Sequence, residues 1–223
     1  MKLGIKATQI VGGGGLAHLR KLLEHRPEVV PPDSIIVFLS EKQRGMLDDL
    51  SLHCRLKYYR FPAINGLCRI VWELCALPFI IRREKIDLLF EPGNLGLIFS
   101  TVKRVMLIHN VAPFDRAYIK METIRQKIRL TILSALTIIS ARRASGVIFL
   151  TEFSRNMLSD KLRLAKDIQP VINHGAEHFT SIDVSPGPVR EPFIFCMHTS
   201  SHACSPVAQS LIWTAASADA SHR

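Results

Sequence analysis

Residues 3–23 read Leu-Gly-Ile-Lys-Ala-Thr-Gln-Ile-Val-Gly-Gly-Gly-Gly-Leu-Ala-His-Leu-Arg-Lys-Leu-Leu. The apolar run Leu3–Val11 predicts a β-strand, and the glycine run Gly12–Gly15 ends it. From Leu16 to Leu23 the leucines recur at helical spacing, which predicts a helix with one apolar side. A strand, a glycine-rich turn and a helix in this order form the first half of a βαβ unit.

The same alternation of strands and helices continues along the chain. The further predicted strands are Ser34–Leu39, Arg55–Phe61, Asp87–Phe90, Arg104–His109, Gly146–Leu150 and Pro170–Ile172. The further predicted helices are Glu41–Leu50, Gly66–Arg83 with a break at Pro78, Tyr118–Arg143 and Thr151–Leu158. Apolar strands that alternate with helices predict an α/β fold, a Rossmann-like doubly wound parallel sheet covered on both faces.

Composition limits the class of protein. Of 223 residues, 48% are hydrophobic and 22% charged, which is typical of a packed globular chain. The net charge of +10 attracts anions without specifying which anion. Nucleic acid is not expected as a partner, because aromatic residues are few and no nucleic-acid recognition pattern occurs. Five cysteines, without a CxxC pair or an N-terminal signal segment, predict a cytoplasmic protein.

The segment Tyr118–Arg143 bears on membrane association. Its apolar tract Leu130–Ala141 is too short to span a bilayer. Helical spacing relates Ile124, Ile128, Ile132, Ala135 and Ile139, while Arg125, Lys127, Arg129, Arg142 and Arg143 are basic. We expect the isoleucines to pack in the core. A basic amphipathic face on an anionic membrane, at the inner face, is the alternative.

The candidate site follows from the predicted topology, because open parallel sheets bind ligands beyond the carboxyl ends of their strands. The residues placed there are Gly13, Gly14, Gly15, Asn94, His109, Asn110, Thr151, Ser154, Asn173, His174 and Gly175. The sequence therefore predicts one cleft lined by glycine, amide, hydroxyl and imidazole groups. It shows no metal site, because no His, Cys, Asp or Glu cluster has metal-ligand spacing.

Several of these residues have a structural reading beside the functional one. The glycine run lets backbone amides approach an anion, but it also serves as a simple turn. His109 leaves an apolar strand for a polar loop, where an imidazole can bind a sugar hydroxyl or a developing charge. Helix capping is sufficient to explain Thr151. Gly12-x-Gly14-x-x-Ala17, with Glu41 after the second strand, also fits the dinucleotide fingerprint of an NAD-dependent oxidoreductase.

Five segments together resemble a known family. They are Val11-Gly-Gly-Gly-Gly-Leu-Ala-His-Leu-Arg-Lys-Leu-Leu23, Met106-Leu-Ile-His-Asn-Val-Ala-Pro-Phe114, Ala144-Ser-Gly-Val-Ile-Phe-Leu-Thr-Glu-Phe-Ser-Arg155, Val171-Ile-Asn-His-Gly-Ala-Glu-His-Phe179 and Pro192-Phe-Ile-Phe195. In this order they resemble the N-terminal half of family 4 (group 1) glycosyltransferases of the GT-B fold. The resemblance extends over almost all of residues 1–197.

The resemblance implies a retaining transferase with two Rossmann-like domains, a nucleotide-sugar donor and a saccharide or lipid-linked saccharide acceptor. It implies neither a separate cofactor nor a metal. Gly13–Gly15 would lie near the donor diphosphate or the acceptor, and His109 would contact the transferring sugar. Residues 173–175 would lead into the interdomain linker. Bacterial relatives often build lipopolysaccharide or other cell-surface polysaccharide at the inner membrane face.

The resemblance also predicts the domain organisation. Residues 1–178 would form the N-terminal, acceptor-side domain, residues 179–191 a linker, and residues 192–223 the first strand of a second domain and an atypical tail. The family continues with a basic phosphate-binding motif and later with paired glutamates, whereas this sequence has Met197–Cys204 in the first place and lacks the second. We therefore expect a truncated or frameshifted form with little activity of its own. A non-catalytic module that binds lipid, glycan or a partner is the alternative.

Overall fold

The computed structural model describes residues 1–10, 12–60 and 66–173. All of them belong to the first of two compact units of the chain, Met1–Gly175. The predicted site residues His174 and Gly175 lie outside the described residues, as do the linker 179–191 and the segment 192–223. Within the described ranges, no helix is both long and apolar enough to cross a membrane.

The core of the fold is one parallel sheet. Its strands are β1 (Leu3–Lys6), β2 (Ile35–Ser40), β3 (Arg55–Tyr59), β4 (Leu88–Pro92), β5 (Lys103–Ile108) and β6 (Gly146–Phe149). They pair in the order β3-β2-β1-β4-β5-β6, and every pair is parallel. Strand β2 is buried along its whole length, as expected for a strand covered on both faces.

Helices cover both faces of the sheet. They are α1 (Gly13–Glu24), α2 (Gly66–Cys75), α3 (Leu77–Arg83), α4 (Arg116–Met121), α5 (Ile124–Arg142) and α6 (Glu152–Leu162). On one face, α1 buries Leu19 and Leu23 against side chains of β1 and β2. On the other face, α3 packs on β2 and β4, and α5 and α6 pack on β5 and β6. The predicted α/β, Rossmann-like, doubly wound parallel fold is therefore confirmed.

The glycine-rich connection differs from the prediction. Strand β1 ends at Lys6 instead of Val11, because residues 7–10 form a turn that the side chain of Gln43 holds. The Gln43 Nε2 donates to the carbonyl oxygens of Ala7, at 2.9 Å, and Ile10, and its Oε1 accepts from the Ser40 amide. Helix α1 begins at Gly13, not at Leu16, so the glycines form its first turn.

Two further predicted helices need correction, and the break predicted in another is confirmed. Glu41–Leu50 is not an α-helix but two short 3-10 turns, Glu41–Gln43 and Asp48–Leu52. Gly45 lies between them with a φ of 86°, a left-handed conformation that a right-handed helix cannot continue through. Helix α6 extends to Leu162, four residues beyond the predicted end. The break expected at Pro78 is confirmed, since α2 ends at Cys75 and Pro78 lies in the first turn of α3.

The predicted long helix Tyr118–Arg143 is two helices, α4 and α5. Thr123 has an extended ψ of 156°, and its hydroxyl accepts from the Gln126 amide at 3.4 Å, so it caps the start of α5. Among the strands, β4 extends to Pro92 and so includes Glu91, beyond the predicted end at Phe90. Val171 forms a single bridge with Phe149, where a short strand was expected.

The buried face of α5 is not the predicted one. The helix buries Leu130, Thr137, Ser140 and Ala141. The isoleucine stripe, which we define as Ile124, Ile128, Ile132 and Ile139, is instead 76%, 58%, 50% and 42% exposed. Small polar residues are acceptable in the core here because the helix satisfies them: the Thr137 hydroxyl donates to the Leu133 carbonyl at 2.8 Å. The core expectation for the isoleucines is therefore wrong.

Candidate functional site

A cavity of about 400 Å³ lies where β5 and β6 end. Its lining consists of Ile108, His109, Val111, Leu150, Thr151, Phe153, Ser154 and Asn173. Ile108 and Phe149 are register partners in adjacent parallel strands, so the segments that follow them meet at the same edge of the sheet. The structure thus brings four predicted site residues together: His109, Thr151, Ser154 and Asn173. The volume is within the range usual for small-ligand sites.

Asn94 fixes the backbone of the loop that carries His109. Its Oδ1 accepts from the amides of His109, at 3.2 Å, and Asn110, at 3.0 Å, and its Nδ2 donates to the Asn110 carbonyl. The Asn110 side chain in turn accepts from the Ala112 amide at 2.9 Å. Both predicted amides therefore shape the loop, and their role as ligand contacts stays a prediction.

The His109 ring is half-buried and contacts a second imidazole, that of His18. The ring centroids are 5.6 Å apart, and the planes meet at 80°. Helix α1 begins at the carboxyl edge of the sheet, so its second turn, with His18, reaches the loop after β5. Sequence reasoning did not single out His18. Its position five residues after Gly13, in a helix that starts at this edge, is the signal that could have found it.

Thr151 and Ser154 cap α6. The Thr151 Oγ1 accepts from the Ser154 amide at 3.1 Å, and the Ser154 Oγ accepts from the Thr151 amide at 3.3 Å. This is a reciprocal capping arrangement, which confirms the expected cap at Thr151. Ser154 is only 7% exposed, while Thr151 is exposed at the cavity. Of the two hydroxyls, that of Thr151 is therefore the more accessible to a ligand.

The glycine run leaves open space around the first turn of α1. A Cβ added at Gly13 or Gly14 would meet no described atom within 4 Å. Gly13 has a φ of 62°, which favours glycine, but neither space nor a positive φ requires glycine at Gly14. No side chain caps this helix in the described part of the chain, and its first turn has no acidic residue. Its amides remain available to an anion.

The dinucleotide interpretation gains no support from the geometry. In such sites the glycine-rich turn follows the first strand directly, whereas residues 7–12 separate β1 from α1 here. The proposed ribose ligand Glu41 is already engaged: its two carboxylate oxygens accept from Arg44 Nε, at 2.5 Å, and Nη2, at 3.1 Å. The hydrogen bond from Arg44 lowers the pKa of Glu41 below its usual value.

Beneath the carboxyl edge lies a buried charge quartet, which we define as Lys6, Glu73, Glu91 and Arg104. Each of the four is at most 5% exposed. The Lys6 Nζ lies 3.1 Å from Glu73 Oε2, and the Arg104 Nη1 lies 3.1 Å from Glu91 Oε2. Burial raises the pKa of Glu91, against the opposing effect of Lys6 and Arg104. Sequence reasoning missed the quartet, although charged residues inside apolar strands are a recognisable signal.

The quartet connects the sheet to the surrounding loops and helices. Glu73, on α2, accepts from Thr8 Oγ1 at 2.8 Å and from Gln9 Nε2 at 2.7 Å, in the turn after β1. Glu91 accepts from the Leu97 amide at 2.7 Å, in the loop after β4. The loops after the neighbouring strands β1 and β4 are therefore both anchored to buried charges. Among the residues that the structure describes, no group of three His, Cys, Asp or Glu could hold a metal ion.

No protein-family model matches the chain, and no curated protein matches it. Among solved structures, it is similar to a glycosyltransferase from Rickettsia africae ESF-5, at 14% identity and a TM-score of 0.43, over 78% of this chain and 43% of that one. It is also similar to UGT73P12 of Glycyrrhiza uralensis, complexed with glycyrrhetinic acid 3-O-monoglucuronide, at 9% identity and a TM-score of 0.49, over 78% and 48% of the two chains.

A third similar structure is UGT89C1 of Arabidopsis thaliana, complexed with UDP-L-rhamnose, at 15% identity and a TM-score of 0.44, over 82% of this chain and 54% of that one. The chain thus spans about half the length of each of these glycosyltransferases. At such identities the similarity concerns the fold alone.

Proposed function

We propose that this chain is the acceptor-side domain of a retaining, nucleotide-sugar-dependent glycosyltransferase. The observation that carries the proposal is the cavity after β5 and β6, where His109, Thr151 and Asn173 meet at the carboxyl edge of a parallel sheet. This edge is where open α/β sheets bind ligands. An imidazole, a hydroxyl and an amide around one cavity supply the donors and acceptors that bind sugar hydroxyls.

In the proposed reaction, His109 hydrogen-bonds the transferring sugar, and Asn94 keeps the His109 loop in place before the ligand arrives. The amides of Gly13–Gly15 face the donor diphosphate or the acceptor. Transfer breaks the bond between the sugar and the diphosphate, so negative charge develops on the leaving group. In the family that the sequence resembles, a second domain stabilises that charge. We therefore propose that this chain alone has little or no transferase activity.

We propose a saccharide or a lipid-linked saccharide as the acceptor, in the synthesis of cell-surface polysaccharide or lipopolysaccharide. This choice rests on the resemblance in the sequence and on the basic, partly apolar surface of α4 and α5. The donor acts as a co-substrate, so no further cofactor is proposed.

Binding tests the proposal more directly than turnover, because the proposal concerns the ligands that the cavity after β5 and β6 holds. A panel of nucleotide-sugars and saccharides is titrated into the ¹⁵N-labelled chain and followed by NMR. At least one should shift the amide signals of residues 109–111 and 151–154, and His109→Ala should weaken that binding at least tenfold. His53→Ala is the matched control, since His53 follows a 3-10 turn near β3. Equal binding by the wild type and His109→Ala contradicts the proposal.

The isoleucine stripe supports a second function, peripheral attachment to an anionic membrane surface at the cytoplasmic face. Its four side chains are 42–76% exposed, and Met121 at the end of α4 is 54% exposed. Basic side chains beside the stripe are also exposed; they are Arg116, Lys120, Arg125 and Arg129. Apolar residues flanked by cations are typical of helices that lie in the headgroup region. This function also fits a non-catalytic binding module.

Vesicle sedimentation tests the attachment. We expect the chain to sediment with vesicles that contain an anionic lipid and not with purely zwitterionic ones, and salt should release it. The double variant Ile128→Ser/Ile132→Ser should release it too. Val71→Ser is the control, because Val71 on α2 is similarly exposed, at 53%, but lies outside the stripe. Binding that ignores lipid charge and the double substitution refutes this function.

A further inference from the structure

The two faces of the β4–β6 half of the sheet are covered to different degrees. On the face that α3, α5 and α6 cover, Leu89, Met106 and Val147 have no exposed surface. On the opposite face, Leu107 is 2% exposed, but five side chains are only half-buried; they are Leu88, Phe90, Val105, Ile148 and Leu150. Helix α1 lies on this opposite face, but it packs on β1 and β2.

A groove of about 450 Å³ occupies this half-covered face, and we call it the sheet-face groove. Its floor is apolar and consists of Leu88, Phe90, Val105, Leu107, Ile148 and Leu150. Leu22 of α1 lines one side, and Ile172 lines it beyond β6. The groove follows the strands, because residues near both ends of β1 and β4–β6 contribute to it. It is separate from the isoleucine stripe, which lies on the other face of the sheet.

The described lining of the sheet-face groove contains one guanidinium, that of Arg26, and two imidazoles, those of His18 and His25. His25 and Arg26 line the end where α1 stops, and His18 lines the groove toward the carboxyl edge. The Arg26 Nη1 donates to the Val30 carbonyl at 2.7 Å, which holds the guanidinium at this end. No acidic side chain belongs to the described lining. Its charge therefore complements an anionic group.

We propose that the sheet-face groove binds one long-chain carboxylate, with its alkyl chain over β4–β6 and its head group at Arg26. The apolar floor matches an alkyl chain, and an arginine fork matches a carboxylate. A volume of about 450 Å³ is usual for a small-ligand site. A helix 10–12 Å wide would need roughly 500 Å³ per turn, so the groove holds less than one turn of a partner helix.

In this orientation the alkyl chain ends near His18, whose ring contacts His109. Occupancy of the groove would then reach the edge of the candidate site. The groove shares Leu150 and Asn173 with the cavity after β5 and β6, but the head-group contact Arg26 and the floor residue Val105 lie outside that cavity. The two proposals can therefore fail separately.

Isothermal titration of the full chain with tetradecanoate, below its micelle concentration, tests the groove. We expect one site per chain. Decanoate, which is four methylene groups shorter, should bind roughly 200-fold more weakly. Arg26→Glu should weaken tetradecanoate binding at least tenfold, because it replaces a charge-assisted contact by repulsion. Val105→Trp, which fills the floor, should weaken it by a similar factor.

Two surface substitutions outside the groove and the isoleucine stripe are matched controls: Arg55→Glu on β3 changes the same charge, and Leu52→Trp in the 3-10 turn Asp48–Leu52 adds the same side chain. They should leave tetradecanoate binding unchanged. If Val105→Trp does not fold, Leu22→Glu replaces it, since Leu22 is 39% exposed at the groove wall. Absence of binding, or equal binding by all variants, overturns the proposal. So does a wild-type dimer that Val105→Trp or Leu22→Glu dissociates, because a second copy would then occupy the groove.

Discussion

The imidazole ring of His18 meets that of His109 edge to face, with 5.6 Å between the ring centroids. Such pairs contribute about 0.5–1.5 kcal/mol beyond their buried area. We therefore predict that His18→Ala weakens ligand binding in the His109 cavity by about two- to tenfold, as measured by the NMR titration. His18→Phe keeps an aromatic edge and should restore most of the affinity. Unchanged binding by His18→Ala would mean that the contact between the two rings does not contribute to ligand binding.

Gly14 separates a stability effect from a binding effect. A Cβ there has open space, and alanine is a better helix former than glycine. Gly14→Ala should therefore leave the free energy of unfolding unchanged or raise it by about 0.5–1 kcal/mol. It should nevertheless weaken nucleotide-sugar binding, if a ligand approaches the backbone of the first turn. Denaturant unfolding and the titration measure the two effects, and unimpaired binding would exclude close approach at this position.

Gly96 should show the opposite behaviour, because the fold leaves no room for a side chain at this position. A Cβ at Gly96 would lie 2.7 Å from Glu91 Oε2 and 2.7 Å from Met106 Sδ. Gly96→Ala must displace one of these buried atoms, and we predict a loss of about 1–3 kcal/mol in the free energy of unfolding. Denaturant unfolding measures it. A neutral substitution would mean that the loop after β4 moves aside freely.

The two faces of α5 differ in what they contribute to stability. Leu130 is 6% exposed, whereas Ile132 is 50% exposed. Leu130→Ala should lower the free energy of unfolding by about 2–5 kcal/mol, and Ile132→Ala should change it by less than about 0.5 kcal/mol. Thermal or denaturant unfolding of the two variants makes the comparison. A larger loss of stability in Ile132→Ala than in Leu130→Ala would mean that the isoleucine face packs in the core.

The described cysteines Cys54 and Cys75 differ in reactivity. Burial raises the pKa of Cys54 to about 11, while Cys75 is exposed. In a background with Cys68→Ser, Cys196→Ser and Cys204→Ser, a thiol reagent at pH 8 should modify Cys75 quickly, and Cys54 only after unfolding. Rapid modification of both would contradict the burial of Cys54.

The same shift predicts a pH dependence. The pKa of Cys54 is higher in the folded state than in the unfolded chain, where it is about 8.5. Its stabilising contribution is therefore complete below about pH 8.5 and is lost as the pH rises toward 11. Over this range the free energy of unfolding should fall less in Cys54→Ala than in the wild type. Parallel curves would contradict the shift.

Local patterns predicted the sheet well, because each buried strand is a short apolar run between turn residues. They also placed His109, Thr151, Ser154 and Asn173 at one edge, since parallel strands end on the same side. Boundaries were less predictable where a distant group decides them. Gln43 ends β1 early by binding the turn after it, and no pattern within residues 3–11 contains that information.

Helical periodicity failed at α5 for a related reason. It identifies an apolar face but does not identify which face meets the sheet. The face with Thr137 and Ser140 is buried because its small side chains admit Arg104, whose Nη2 donates to the Ser140 carbonyl at 3.3 Å. His18 escaped notice because its contact with His109 joins residues 91 positions apart.

The buried charge quartet contains two cations and two anions, so its formal charge is zero. Losing any one member leaves a net charge in the low-dielectric interior, which typically costs about 3–5 kcal/mol. Losing an oppositely charged pair leaves no net charge in the interior. Lys6 with Glu73, and Glu91 with Arg104, are therefore expected to change together during evolution, each pair giving way to apolar residues as a unit. The sequence of the sheet beneath the candidate site should therefore diverge slowly at these four positions, even where the sequences of the loops above it vary.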